Sequence, residues 1–373
     1  MKVLDFVGAL DADFFTGVPD SQLKALCDFL METYGIDPEH HVIAANEGNC
    51  VGLAAGYHLA TGKIPVVYMQ NSGEGNIINP VASLMNDNVY GIPCIFVIGW
   101  RGEPGIHDEP QHVYQGKVTV PLLEVMDIES FIIDEKTQID EIEDMMVTWK
   151  PLLEKGKQVA FVVRKGALQY DSKPKYGNDF KLNREEVLKH IVAAAGEDPI
   201  VSTTGKISRE LFEIREANGQ EHKYDFLTVG SMGHCSSIAM GVAINKPDTR
   251  VWCIDGDGAA IMHMGSMAVV GSTGPKNLVH IVLNNTAHDT VGGMPTVAHD
   301  LEFIGVAVDC GYEAAAKAET MEELDHLLEE AKEADGPLFI EVRCALGSRA
   351  DLGRPTTTAK ENKENFMNYL STL

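Results

Sequence analysis

Positive charge is scarce in this sequence. Thirty Lys and Arg face 55 Asp and Glu, for a formal net charge of −25 over 373 residues. Nucleic-acid binding needs clustered cations against phosphate, so the balance argues against that partner class. Any anionic ligand must be held locally, by a few placed cations and backbone N–H groups. Much of the acid falls in runs such as Glu319 to Glu333, which read as solvated helix. No apolar run reaches the roughly 18 residues that a membrane span needs. The opening Met1-Lys2-Val3-Leu4-Asp5-Phe6 has one early lysine, then acid, and no small-residue cleavage site, which predicts no signal peptide. The seven cysteines are odd in number, contain no Cys-x-x-Cys pair and have mostly apolar neighbours. They read as reduced core residues of a cytoplasmic protein rather than as disulfide, catalytic or metal-binding thiols. No Gly-x-Gly-x-x-Gly opens a βαβ unit, which argues against a nicotinamide-binding Rossmann protein.

What is present is an α/β pattern long enough for two domains, with 45% hydrophobic residues to fill two cores. Stretches 64–69, 94–98, 159–163, 251–254, 278–283 and 338–342 read as buried strands. They alternate with small-residue or amphipathic helices, which predicts doubly wound, mostly parallel sheets. Between Gly166 and Asn183 the pattern lapses into Lys, Asp, Pro, Tyr and Gly. That places a linker at 170–182 between domains 1–169 and 183–373. The halves look related, because Glu47–Gly73 lies on Met232–Gly258 without a gap. Gly48 then meets Gly233, Cys50 meets Cys235, Ala54 meets Ala239, Gly56 meets Gly241, Val66 meets Val251 and Gly73 meets Gly258. Two helix–strand–glycine-turn units can also match this well by convergence. If the match is a true duplication, the equivalent slots carry Glu47 in one copy and Met232 in the other.

The strongest local motif is Asp255-Gly256-Asp257-Gly258-Ala259-Ala260 after strand 251–254, with a helix expected to about Val270. The next strand ends at Asn284-Asn285. A strand, glycine turn, helix and parallel strand bring Asp257 and Asn285 to neighbouring carboxyl ends, where open α/β sheets bind ligands. Gly256 and Gly258 allow close backbone approach to a phosphate, and the helix start at Ala259 offers free N–H groups. Asp257 and Asn285 supply hard oxygen ligands suited to Mg²⁺.

Gly-Asp-Gly followed after 25 residues by Asn-Asn resembles the motif of thiamine-diphosphate enzymes. The resemblance implies that Asp257, Asn285 and the main-chain carbonyl of Ala287 hold Mg²⁺ against the diphosphate of thiamine diphosphate. It also implies a carboxylate on the pyrimidine N1′, so that the 4′-amino group can serve as a base. Glu47, opening a small-residue helix expected to be buried, stands where the family carries that acid. The bland alternative is a first-turn acid meeting the helix dipole. By the same resemblance the Gly230 carbonyl accepts from the 4′-amino group and Met232 wedges the cofactor into a bent form. Thr204 and Gly205 add contacts to the diphosphate.

Five further stretches, around 17–21, 99–105, 108–112, 288–296 and 347–355, resemble the phosphonopyruvate decarboxylase branch of the thiamine-diphosphate-dependent 2-oxo acid decarboxylases. The similarity runs nearly the whole chain and includes the lack of a middle domain. It implies a thiamine-diphosphate-binding fold and a carboxy-lyase of phosphonate biosynthesis. The cofactor then lies between the first domain of one subunit and the second of another, so a homodimer is the smallest active form. Ser21, Arg101, His107 and Lys206 become candidate contacts for the substrate's anionic groups. Asp20 and His112 become candidate proton donors after CO₂ leaves. His107 stands where a lysine is expected, which leaves its part open. The Gly- and Pro-dense stretch 99–116 suits a substrate cover. Sulfopyruvate decarboxylation and a carboligase reaction stay open beside the phosphonopyruvate reading, as does a non-catalytic subunit.

Overall fold

The computed structural model describes all 373 residues, Met1–Leu373. The chain divides into two compact units, Met1–Lys175 and Tyr176–Leu373. No helix is long and apolar enough to cross a membrane.

The first unit holds β1 (Phe15–Gly17), β2 (His41–Ile43), β3 (Val66–Gln70), β4 (Cys94–Gly99), β5 (Glu129–Ile133) and β6 (Gln158–Val163). They form one parallel sheet in the order β2-β1-β3-β4-β6-β5. The second unit holds β7 (Ile200–Ser202), β8 (Asp225–Leu227), β9 (Val251–Gly256), β10 (Leu278–Asn284), a short hairpin of β11 (Ala287–His288) and β12 (Met294–Pro295), β13 (Ala314–Ala318) and β14 (Leu338–Arg343). Its main sheet, read from the matching edge, runs β8-β7-β9-β10-β14-β13 and is also parallel. Renumbered from its own first strand, this is the order of the first sheet. The two units thus share one strand order, in line with the internal sequence repeat, and the fold is two doubly wound α/β domains.

The six expected strands are the central ones, because a strand covered on both faces must be apolar at every position. β4 and β6 are buried throughout. The polar start of β6 is affordable because Gln158 Nε2 donates to the carbonyls of Met85, Ile92 and Gly156 at 2.7–2.9 Å. In the second unit Trp252, Ile254, Ile281, Leu283, Ile340 and Val342 pack against Val187, Leu188, Leu211 and Leu328 from the flanking helices. The acidic run folds as the helix Met321–Glu333, with a Thr320/Glu323 capping box and Leu324, Leu328 and Ala331 turned inward.

Two expectations change. The helix after the Gly-Asp-Gly turn is broken into Asp257–Met262 and Gly265–Thr273. His263 leaves the helical region (φ −131°, ψ 47°), and its ring packs against that of His234, with centroids 4.4 Å apart. The helix Glu47–Thr61 is buried on one face only. Cys50, Val51, Ala54 and Ala55 are inside, whereas Gly52, Gly56 and Leu59 are exposed.

Candidate active site

In the second unit the parallel pairing of β9 and β10 sets Leu283 opposite Gly256. Asp257 and Asn285, each just past its strand end, are therefore neighbours. Asp257 begins the helix Asp257–Met262 and is buried. Its carboxylate accepts 2.5 Å from the Thr296 hydroxyl and also from the backbone N–H groups of Gly258 and Asn285. Burial outweighs these bonds and pushes its pKa up to about 7. No Lys or Arg pairs with it. Asn285 Oδ1 accepts from the Ala287 N–H at 3.1 Å, and Thr286 between them turns through φ 57°. Ala287 then pairs with Pro295 in the β11–β12 hairpin, which carries Thr296 back to Asp257.

The two glycines of the turn differ. A Cβ on Gly258 would lie 3.3–3.5 Å from Thr296, Met232 and His288, so any side chain there closes the space between them. Gly256 is extended (φ −110°) and would have only an ordinary contact with Ile207. The loop Gly230–His234 packs directly on this turn. A Cβ on Gly233 would fall 2.6 Å from the His263 ring and 3.1 Å from the Ala259 carbonyl. Met232, Gly258 and Ala259 are thus gathered at one place, with Gly230 two residues before the half-buried Met232.

On the same strand-end face, Thr204 donates to the Val229 carbonyl at 2.9 Å. Gly205 adopts φ 96°, ψ −139°, a conformation open to glycine only, as it opens the helix Lys206–Ala217. Lys206 is not a free cation. Its ammonium lies 3.1 Å from Asp289, which also binds buried Arg184 at 2.7 Å.

In the first unit Asp20, Gln70 and Arg101 lie at the carboxyl ends of adjacent β1, β3 and β4. Asp20 is fully buried. It accepts from Gln70 Nε2 at 2.6 Å and from the Gln22 N–H at 3.1 Å. A Cβ on Gly99 would overlap its carboxylate, at 2.1 Å from Oδ2. Burial raises the Asp20 pKa to about 6. Arg101 lies close enough to oppose that rise, and its Nη1 reaches the Ser21 hydroxyl at 3.3 Å. Its other nitrogens are taken by Asp108 in a bidentate pair of 2.8 and 2.5 Å, which holds Asp108 down at about 2. Arg101, a candidate contact for the substrate, is thus already paired with an acid. Beside the pair, burial and then the Arg101 charge depress His112 to about 4, leaving a neutral imidazole at pH 7. Asp20, Ser21, Arg101 and His112 share one cluster. His107 is exposed and makes no hydrogen bond or ion pair.

Glu47 is the first residue of its helix, with Asn46 capping through a 2.9 Å bond from the Asn49 N–H. The Glu47 carboxyl is turned inward. Burial raises its pKa, and a 2.7 Å bond from Asn76 Nδ2 to Oε2 opposes that rise. Gly73 leaves room for it, since a Cβ there would stand 2.5 Å from Oε1.

Sequence reading missed the groups that surround these residues. Asn76, Gln70, Asp108, Thr296 and Asp289 are polar residues whose partners lie from 7 to 105 positions away. Glu74 is the sharpest omission. It is buried, neither carboxyl oxygen has a partner, and burial raises its pKa to about 8. Its neighbour Thr119 gives its only hydroxyl proton to the Gln115 carbonyl at 2.9 Å. The signal was an acid between two glycines directly after a buried strand.

Comparison with known proteins agrees with this construction. The N-terminal TPP binding domain of thiamine pyrophosphate enzymes matches residues 3–121, and the C-terminal TPP binding domain matches 203–342. Phosphonopyruvate decarboxylase of Streptomyces viridochromogenes is 32% identical, over 95% of this chain and 91% of its own. That of Streptomyces hygroscopicus is 32% identical, over 95% and 89%. Sulfopyruvate decarboxylase of Methanosarcina acetivorans is 26% identical, over 86% and 84%. With a repeated α/β fold, both binding domains and relatives matched nearly end to end, the chain belongs to the thiamine pyrophosphate enzyme family and is a thiamine-diphosphate-dependent decarboxylase.

Proposed function

We propose that the substrate is 3-phosphonopyruvate, converted with uptake of one proton to phosphonoacetaldehyde and CO₂ in a Mg²⁺-dependent reaction of phosphonate biosynthesis. The observation that carries this reading is the 32% identity to phosphonopyruvate decarboxylase across 95% of the chain. Thiamine diphosphate, when bound, would supply the electron sink for the bonding pair left behind as the carboxylate departs as CO₂. The residues present suit the metal that would anchor it. Asp257, Asn285 and Ala287 offer oxygen donors within one turn, and Asp257 is a buried acid with no cationic partner. Backbone at Gly205, Gly256, Gly258 and Ala259, with Thr204, borders the diphosphate position, while Gly230 and Met232 set the ring orientation.

Glu47 holds a proton for the aminopyrimidine. Burial favours its neutral form, and Asn76 occupies Oε2 while Oε1 faces the space that Gly73 leaves clear. Asp20 is the better proton donor to the product carbon. A carboxyl raised to about 6 is still partly protonated near neutrality, whereas His112, depressed to about 4, keeps only the N–H of a neutral ring. Ser21 and the Nη1 of Arg101 bind the substrate's anionic end, oriented by the Asp108 pair. Lys206 takes part once drawn from Asp289, and His107 only if the 99–116 segment carries it inward. The exposed stripe of Gly52, Gly56 and Leu59 suits cover by a second copy, in a homodimer or larger homo-oligomer.

Sulfopyruvate is the second reading, favoured by one observation. The candidate cations Arg101 and Lys206 are each already paired with an aspartate, and a sulfonate asks for less positive charge than a phosphonate. Side-by-side CO₂ release from phosphonopyruvate, sulfopyruvate and pyruvate, with and without thiamine diphosphate and Mg²⁺, tests the assignment. A higher kcat/KM for sulfopyruvate would overturn the substrate. A C–C-bonded product formed faster than free aldehyde would overturn the reaction.

A further inference from the structure

Behind the Asp257 turn, inside the second unit, three donor side chains meet, with His280 beside them, at a place the decarboxylation does not use. Cys253 and Asp255 point to one face of β9, two residues apart. His280 on β10 stands directly opposite Cys253 in the ladder. Cys235, first residue of the helix Cys235–Asn245, lies over them, with its sulfur 3.4 Å from that of Cys253. The donor atoms of Cys235, Cys253 and Asp255 all lie within 4.8 Å of one another. His280 Nε2 is 3.8 Å from Asp255 Oδ2. All four residues are buried.

What points to a ligand is the state of the last two atoms. Asp255 Oδ1 accepts from the Gly256 N–H at 3.0 Å, but Oδ2 has no partner. His280 Nδ1 contacts the Tyr312 hydroxyl at 2.9 Å, but Nε2 has none. Neither atom makes a hydrogen bond, and at 3.8 Å they stand only at ion-pair distance from each other, buried beside two sulfurs.

We propose that Cys235, Cys253, Asp255 and His280 form a structural site for a soft divalent cation of the zinc class. Zinc takes four ligands at about 2.0–2.3 Å, so its donors sit about 3.3–3.8 Å apart. A sulfur–sulfur edge at zinc is about 3.8 Å and a nitrogen–oxygen edge about 3.3 Å. With the ion bound, the 3.4 Å sulfur pair therefore opens and the 3.8 Å nitrogen–oxygen pair closes by a few tenths of an ångström. Two sulfurs select zinc over magnesium, and four protein ligands with no solvent access describe a closed site. Tyr312 would fix the ring of His280 from its far nitrogen, as a metal-bound histidine requires. On binding, each cysteine gives up its thiol proton and His280 coordinates through Nε2 with its remaining proton on Nδ1. A Cys235–Cys253 disulfide is the competing outcome. It would need a two-electron oxidant and would leave Asp255 Oδ2 and His280 Nε2 as they are.

The consequence reaches the cofactor half-site. Cys235 directly follows the Gly230–His234 loop, and Asp255 precedes Asp257 by two residues, so one ion would brace both pieces. The test is metal analysis of the full-length protein grown with zinc and dialysed against EDTA until magnesium is gone. About one zinc per chain is expected, falling below about a tenth in Cys235→Ser/Cys253→Ser. Should that variant fail to fold, the wild type decides alone. Protein produced in cobalt medium should show thiolate-to-cobalt charge-transfer absorption and intense tetrahedral visible bands. Folded wild type with less than about a tenth of a zinc and no cobalt bands, or with an intact mass two hydrogens light, overturns the site.

Discussion

Mixing pH with metal isolates the electrostatics of Asp257. Its carboxyl is displaced from the ordinary value near 4 to about 7 because it is buried without a cation. A group raised in the folded state contributes stability that is complete below about pH 4 and lost as pH rises through about 7. Three units correspond to roughly 4 kcal/mol. Metal-free protein should therefore lose about that much more stability between pH 4 and pH 8 than Asp257→Asn, which has nothing to ionise. Comparing wild type with variant cancels the other raised acids, Asp20 and Glu74. A divalent ion reverses the trend, because it binds the ionised form. Apparent Mg²⁺ affinity should weaken about tenfold from pH 8 to pH 6, or roughly 1.4 kcal/mol. The assay is thermal melting of EDTA-treated protein across this range, followed by titration of Mg²⁺ into the thiamine-diphosphate mixture by tryptophan fluorescence. Parallel melting curves for wild type and Asp257→Asn, together with pH-independent Mg²⁺ affinity, would refute the reasoning.

Glu47→Gln should cut decarboxylation by about 10²-fold or more while leaving thiamine diphosphate affinity within a few-fold, since in the proposed role the residue tunes the ring rather than anchoring the phosphates. Equal kcat in both proteins removes it from the reaction. With Asp20 as proton donor, kcat should fall as pH rises above about 6, and Asp20→Asn should flatten that limb. An unchanged pH–rate profile in the variant transfers the role to another group. Glu74→Leu should raise the melting temperature of the first unit at pH 8, because it removes a buried carboxyl with two unpartnered oxygens at a gain of about 1–3 kcal/mol. A lower melting temperature in calorimetry would show that the pocket needs the acid.

Legibility in the sequence followed burial and chain distance. β4, β6, β9, β10 and β14 announce themselves because strands covered on both faces admit few polar residues. The edge strand Ala314–Ala318 does not, since Ala-Ala-Ala-Lys-Ala favours a helix and only pairing with β14 makes it extended. The three-residue β1, β2, β7 and β8 are too short for any period to show. Asp257 with Asn285 was readable because a βαβ unit fixes where consecutive parallel strands end. The bidentate Arg101–Asp108 pair was not, because a loop sets it and no pattern in 99–116 says which cation is already neutralised.

The two half-sites differ while sharing a frame. In both copies a helix precedes the third strand and a glycine turn follows it, so Gly73 and Gly258 fall at equivalent strand ends. In the first copy the helix starts at the aligned slot, and Glu47 becomes a first-turn acid folded under Gly73. In the second, Ser231 and Gly233 take φ 57° and 88°, and the helix is delayed to Cys235. The same slot then becomes a loop that lays Met232 on Gly258. One change of helix start thus puts a buried carboxyl at this slot in one copy and an apolar side chain beside the turn in the other. The strand ends diverge in the same way. The second copy places Asp257 where a carboxylate meets backbone N–H groups from two strands, while the first places Ser72 before its glycine and keeps its acids at Glu47, Glu74 and Asp20. The two half-sites therefore part at two points of one shared frame, where a helix begins and which side of a glycine an acid occupies.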